Sequence, residues 1–145
     1  MKRLLLAVIC IAAFVAAKAQ TADEALIREV IMRSYVEGIH NRNQTENIEK
    51  GFHPGFEMLS LNNNLLDKYP IYSWLEQIRK SMQSGQKPGA VTTAEIPLVD
   101  VAGNAAIARV ELFRDGKHIF TDYMALYRFD EGWKIVSKTY YRIPD

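Results

Sequence analysis

Ala105-Ala-Ile-Ala-Arg-Val-Glu-Leu-Phe113, His118-Ile-Phe-Thr-Asp-Tyr-Met-Ala-Leu-Tyr-Arg-Phe129 and Trp133-Lys-Ile-Val-Ser-Lys-Thr-Tyr-Tyr-Arg-Ile143 are three runs rich in β-branched and aromatic residues. Only Asp115-Gly116 and Asp130-Glu-Gly132 interrupt them in register-setting positions, and turn pairs of that kind between such runs read as consecutive hairpins. Upstream, Val91 to Val101 reads as a fourth, long strand, in which Pro97 implies a sheet edge or a bulge. Ala102-Gly-Asn104 turns that strand into the meander. The C-terminal part of the chain is therefore an antiparallel sheet, and what precedes it must cover one of its faces.

Outward from the sheet, the chain reads as helices. Thr21-Ala-Asp-Glu24 is a capping-box pattern, and Ile27, Val30, Ile31, Ser34, Tyr35 and Gly38 then recur at helical spacing as one buried face. Asn41-Arg-Asn43 ends this helix. Thr45 caps a short second helix, closed by Gly51 and by Pro54, which disfavours helix at His53. Phe56 to Leu61 and Leu65-Leu66 read as a small hairpin around Asn62-Asn-Asn64. Pro70 suits the first turn of a third helix, whose apolar face is Ile71, Trp74, Leu75, Ile78 and Met82, stopped by Gly85. The expected fold class is α+β, three N-terminal helices packed on one face of a curved antiparallel sheet.

Lys2-Arg3, an apolar run from Leu4 to Ala17 and Ala17-Lys18-Ala19 before Gln20 have the layout of a secretory signal. The apolar run falls short of the roughly twenty residues a bilayer span needs. Residues 1–19 are thus expected to be cleaved after Ala19, leaving 20–145 as one secreted, periplasmic domain with no membrane association. Cys10, the single cysteine, lies inside the signal, so the mature chain stands on its hydrophobic core without disulfides. Removing Lys2, Arg3 and Lys18 leaves 15 basic residues against 17 acidic ones, and the formal charge moves from +1 to −2. That balance argues against a nucleic-acid partner.

The strand registers sort the side chains. With Asp115-Gly116 as a two-residue turn, Arg109 pairs with Asp122 and Ala108 with Tyr123; with Asp130-Glu-Gly132 as a three-residue turn, Tyr127 pairs with Ile135. The helix-facing side then carries Ala106, Ala108, Val110, Leu112, Tyr123, Tyr127, Trp133, Ile135, Ser137, Thr139 and Tyr141, a mixture suited to a cavity with a few polar handles. Phe113, Phe120, Met124, Leu126, Val136 and Tyr140 fall on the opposite side. So much apolar surface predicts a cover, and a sheet-to-sheet homodimer would supply it. A shorter second turn would swap the faces of the last strand.

Tyr35-Val-Glu-Gly38, Phe52-His-Pro54, and Asp122-Tyr-Met-Ala-Leu126 leading to Gly132-Trp-Lys-Ile135 resemble patterns of the nuclear transport factor two-like superfamily, in particular its secreted SnoaL-like and lumazine-binding bacterial members. The resemblance covers nearly the whole mature chain. It implies a cystatin-like cone of three helices closed by a bent sheet. Among the superfamily's isomerases it sets Tyr35 at the oxyanion-hole tyrosine, with Ser60 near the carboxylate base and Ala125 near the protonated aspartate. Neither Ser60 nor Ala125 can do that chemistry.

The leading expectation is a non-catalytic domain that binds a small apolar or aromatic molecule in a cone lined by Tyr35, His53, Met58, Ser60, Tyr123, Ser137, Thr139 and Tyr141. One alternative is a lyase, cyclase or isomerase acting on a small ring compound, with His53 as general base and Tyr35 as acid or oxyanion donor. Another is a structural or protein-interaction module with a filled cone. His40 and His118 read as solvated. No metal and no cofactor are expected, since no histidine pairs with a carboxylate at a ligating spacing and no glycine-rich phosphate loop is present. A cavity well under roughly 300 Å³ would remove both pocket readings.

Overall fold

A computed structural model describes residues 22–43, 45–86 and 89–144. The signal segment, Cys10 and the capping threonine Thr21 lie outside the described residues. Helix α1 begins as an α-helix over residues 22–30 and continues as a π-helix, Ile31–His40. It is followed by α2 (Glu46–Gly51), β1 (Phe52–Asn62), β2 (Leu65–Pro70), α3 (Ile71–Gln83), β3 (Thr92–Ala102), β4 (Ala105–Arg114), β5 (Lys117–Phe129) and β6 (Gly132–Arg142). The strands form one six-stranded sheet in the order β2-β1-β6-β5-β4-β3. The helices cover one face of it, so the α+β architecture is as expected.

Two features of the sheet were not expected. It is mixed, because β1 runs parallel to β6, pairing Phe52 with Ile135 and Met58 with Lys138. Its registers also contain bulges. Asp115 and Gly116, at φ 51° and 74°, do form the two-residue turn that places Arg114 opposite Lys117. A bulge at Ile119 then shifts the pairing, so that Ala108 faces Met124 and Val110 faces Asp122. One extra residue turns every later β5 side chain to the other face.

The second hairpin is shorter than expected, with Phe129 opposite Gly132 and only Asp130-Glu131 between them. This cancels the first shift, which is why Trp133 and Ile135 still point at the helices. A bulge at Val136, between the Leu126–Ile135 and Ala125–Ser137 pairs, then flips the remainder of β6. Lys138, Tyr140 and Arg142 point toward the helix side; Ser137, Thr139 and Tyr141 point away. Pro97 sits where expected: β3 is an edge strand, with its own irregularity between Glu95 and Leu98.

The core follows from these registers. Ile27, Ile31 and Tyr35 of α1, Ile48 of α2, Leu75 and Ile78 of α3, and Val110, Leu112, Met124, Leu126 and Ile135 of the sheet form one buried cluster. Met124 and Leu126 were expected at a homodimer face. They are core residues instead, each 1% exposed. Phe113 stacks on His118 at 5.0 Å, Val136 occupies the bulge, and Phe120 and Tyr140 turn inward against each other at 5.7 Å. The large apolar groups exposed on the outer face include Leu61, Leu98, Ile107, Tyr123, Tyr127 and Tyr141.

Candidate functional site

The inward turn of Phe120, Lys138, Tyr140 and Arg142 opens a cavity of about 500 Å³ between α1, α3 and the β2-β1-β6 side of the sheet. Tyr35 and His40 of α1, Met58 and Ser60 of β1, Asp67, Lys68 and Tyr69 of β2, and Trp74 and Gln77 of α3 complete its lining. That volume is in the range of small-molecule sites, and the mixture of rings with a few polar groups is their usual chemistry.

Two buried polar side chains, Tyr35 and Lys138, form its floor, and a third, Asp122, lies behind them. The Tyr35 hydroxyl donates to Asp122 Oδ2 at 2.5 Å, and Lys138 Nζ donates to the Tyr35 oxygen at 2.8 Å and to Asp122 Oδ1 at 3.1 Å. Tyr35 and Asp122 are fully buried and Lys138 nearly so. Lys138 Nζ also lies 5.0, 5.6 and 4.8 Å from the ring centres of Tyr35, Trp74 and Tyr140, an aromatic cage that favours a cation. Burial, followed by the charge of Asp122, pushes the Tyr35 hydroxyl well above the ordinary phenol range. Burial lowers the Lys138 ammonium, and Asp122 only partly restores it. Removing an ion pair from water is expensive, so a buried one beside a cavity is a candidate for a role in that cavity.

The π-helical winding assembles this floor. Asn41 N–H donates to Val36 O across five residues at 2.9 Å, and Asn41 then ties the helix end to β3 through both the amide and the carbonyl of Thr92. The wider turn brings His40 round to Tyr35, edge-to-face at 4.7 Å. His40 is therefore not solvated as expected. Its Nε2 is buried without a hydrogen-bond partner, and burial, helped by Lys138 and Arg114, holds the imidazole down to about 3. Sequence reasoning missed His40, Trp74, Lys138 and Tyr140 as cavity residues, and Asp122 as the buried partner behind Tyr35 and Lys138. For Asp122 and Lys138 the signal was present as charged residues inside apolar strands, but the bulges hid which way they point.

Of the residues expected to line the cone, the structure brings Tyr35, Met58 and Ser60 together, and Ser60 Oγ is 2.9 Å from the Tyr140 hydroxyl. Tyr123, Thr139 and Tyr141 are exposed on the opposite face of the sheet, and Ser137 pairs with Ala125 on that same face. Arg109 pairs with Glu111 rather than with Asp122. His53 is outside the cavity. It stacks on Phe129 at 4.8 Å, and its Nδ1 accepts from the Gly55 amide at 3.0 Å. A ring tied to its own corner in this way does not reach Tyr35 to serve as the base of an isomerase or cyclase.

Comparison with known proteins agrees with this geometry. The family described as "Putative lumazine-binding" matches residues 22–141. Among solved structures, an NTF2-like (nuclear transport factor two-like) protein of unknown function from Shewanella baltica is 25% identical, with a TM-score of 0.69 over 86% of this chain and 97% of its own. One from Silicibacter pomeroyi, also NTF2-like and of unknown function, is 18% identical, with a TM-score of 0.67 over 85% and 98%. A domain of unknown function with a cystatin-like fold from Nostoc punctiforme is 19% identical, with a TM-score of 0.62 over 86% and 80%. No curated protein matches the chain significantly. The described chain, from the first turn of α1 to the end of β6, belongs to the "Putative lumazine-binding" family within the NTF2-like superfamily.

Proposed function

We propose that this protein is an exported binding domain for a small, flat, ring-containing molecule held in the cavity beneath Trp74 and Tyr140. The observation that carries this reading is the buried Asp122–Tyr35–Lys138 cluster at the floor of a cavity of about 500 Å³. Rings on the walls supply contact area. Lys138 has three N–H donors, of which Tyr35 and Asp122 take two, so a ligand oxygen or ring nitrogen can accept the third. The family description suggests a heterocycle of this size and polarity as one candidate. Export follows from the signal-like residues 1–19.

Native mass spectrometry of protein purified from its own periplasm tests the proposal. A compound retained at one per chain, and lost from a Ser60→Trp variant whose indole fills the cavity, is the expected result. Retention undiminished in that folded variant would place the ligand elsewhere and refute the proposal.

A further inference from the structure

We propose that the cavity floor is a carbonyl-trapping site, where the Lys138 amine condenses with a small ring-bearing aldehyde or ketone to give a Schiff base. The inference rests on the cavity being a ligand site and goes further by naming the chemical class of the ligand and the bond it forms. Four observations support it. Lys138 lines the cavity but is almost withdrawn from water. An oxygen able to take a proton from its ammonium, Asp122 Oδ1, lies 3.1 Å from Nζ. The Tyr35 hydroxyl, 2.8 Å from Nζ, donates its one proton to Asp122 in the resting site and can turn it to a carbonyl oxygen once Asp122 is itself protonated. Lastly, burial shifts the lysine toward its neutral, nucleophilic form.

The chemistry balances without any further reagent. Asp122 takes one proton from the Lys138 ammonium, and the freed lone pair attacks the carbonyl carbon. The carbon–nitrogen bond forms as the π pair moves to oxygen; Tyr35 protonates that oxygen and takes a proton from the new secondary ammonium in exchange. Asp122 returns its proton by way of Lys138 and Tyr35 as the hydroxyl leaves as water. Ammonium and carbonyl have become iminium and water, with no change of charge. That conservation is the strongest argument for the assignment. The iminium is still a cation facing Asp122, inside the cage of Tyr35, Trp74 and Tyr140, so the adduct keeps the electrostatic arrangement of the resting site. Lys68 also lines the cavity, but it is exposed and paired with Glu57, without the buried carboxylate and hydroxyl that flank Lys138.

The test uses 2-naphthaldehyde with cyanoborohydride at neutral pH, read by intact mass and peptide mapping. One naphthylmethyl group on Lys138 is expected. Lys138→Arg, which keeps the cation and the ion pair, should lose that label, and Tyr35→Phe should slow its appearance about tenfold or more. Label on surface lysines alone, or the same extent of single labelling in the Lys138→Arg protein, would overturn the proposal. 2-Naphthol, which has no reactive carbonyl, separates this failure from failure of the binding reading. If it shifts the Trp74 indole resonance while the aldehyde leaves Lys138 unmodified, only the Schiff base falls. If neither probe engages the cavity, both readings fall.

Discussion

His40 shows how a single residue records its surroundings. Its ordinary value of 6.5 is lowered to about 3, so the folded protein holds the neutral imidazole where the unfolded chain takes up a proton. Stability from this source is complete above pH 6.5 and is lost as the pH falls toward 3. The linkage amounts to about 5 kcal/mol at the acid end. His40→Phe keeps a ring against Tyr35 and removes the titration. Urea unfolding at pH 7 and pH 4 should therefore show a smaller loss on acidification in the variant than in the parent, and equal losses would contradict the assignment. Lys138 and Asp122 make a second prediction. Lys138→Met leaves Asp122 buried without its cation and should cost about 3–5 kcal/mol in chemical denaturation, whereas adding Asp122→Leu to it should recover part of that loss. A single variant as stable as the parent would mean that the pair is not buried as described.

At the scale of elements, close approach and register decide the outcome. Gly51 ends α2 against α1, where a Cβ would lie 2.0 Å from Ser34 Oγ and 2.4 Å from Ser34 Cβ. Gly51→Ala should destabilise the protein by about 1–3 kcal/mol, and Ser34→Gly in the same chain should restore most of it, as read from thermal or urea midpoints. Ser34 was legible as a member of the buried helical face, but not that α2 is the element packed against it. Strands, helices and the Pro97 irregularity were legible too, because β-branched runs, three-and-four spacing and a missing N–H leave marks in the residue types. The bulges at Ile119 and Val136 leave no such mark. Either residue would serve equally well in a regular strand, yet each reverses the faces of the rest of its own strand. That is why Tyr35, Met58 and Ser60, which precede the bulges, do line the cavity, while Tyr123, Thr139 and Tyr141 point away from it and Lys138 and Tyr140 stand in their place.

For the whole molecule, the sheet divides two environments. Its inner face builds a core and a cavity. Its outer face leaves Ile107, Tyr123, Tyr127 and Tyr141 exposed. We propose that a second copy covers this outer face, in place of the residues first expected there; Tyr123→Glu with Tyr127→Glu should then halve the mass found by sedimentation equilibrium at micromolar concentration, and a monomeric parent would refute the dimer. On the inner face the two bulges and the π-helix converge on one cavity. The direct measurement is a nuclear magnetic resonance screen of flat aromatic fragments against the folded mature domain, following the Met58 methyl and the Trp74 and Trp133 indole signals. The account predicts fragments that shift Met58 and Trp74 together and leave Trp133, outside the cavity lining, unmoved. Fragments that bind only the outer sheet face, or a library in which none perturbs Met58 and Trp74, would contradict it.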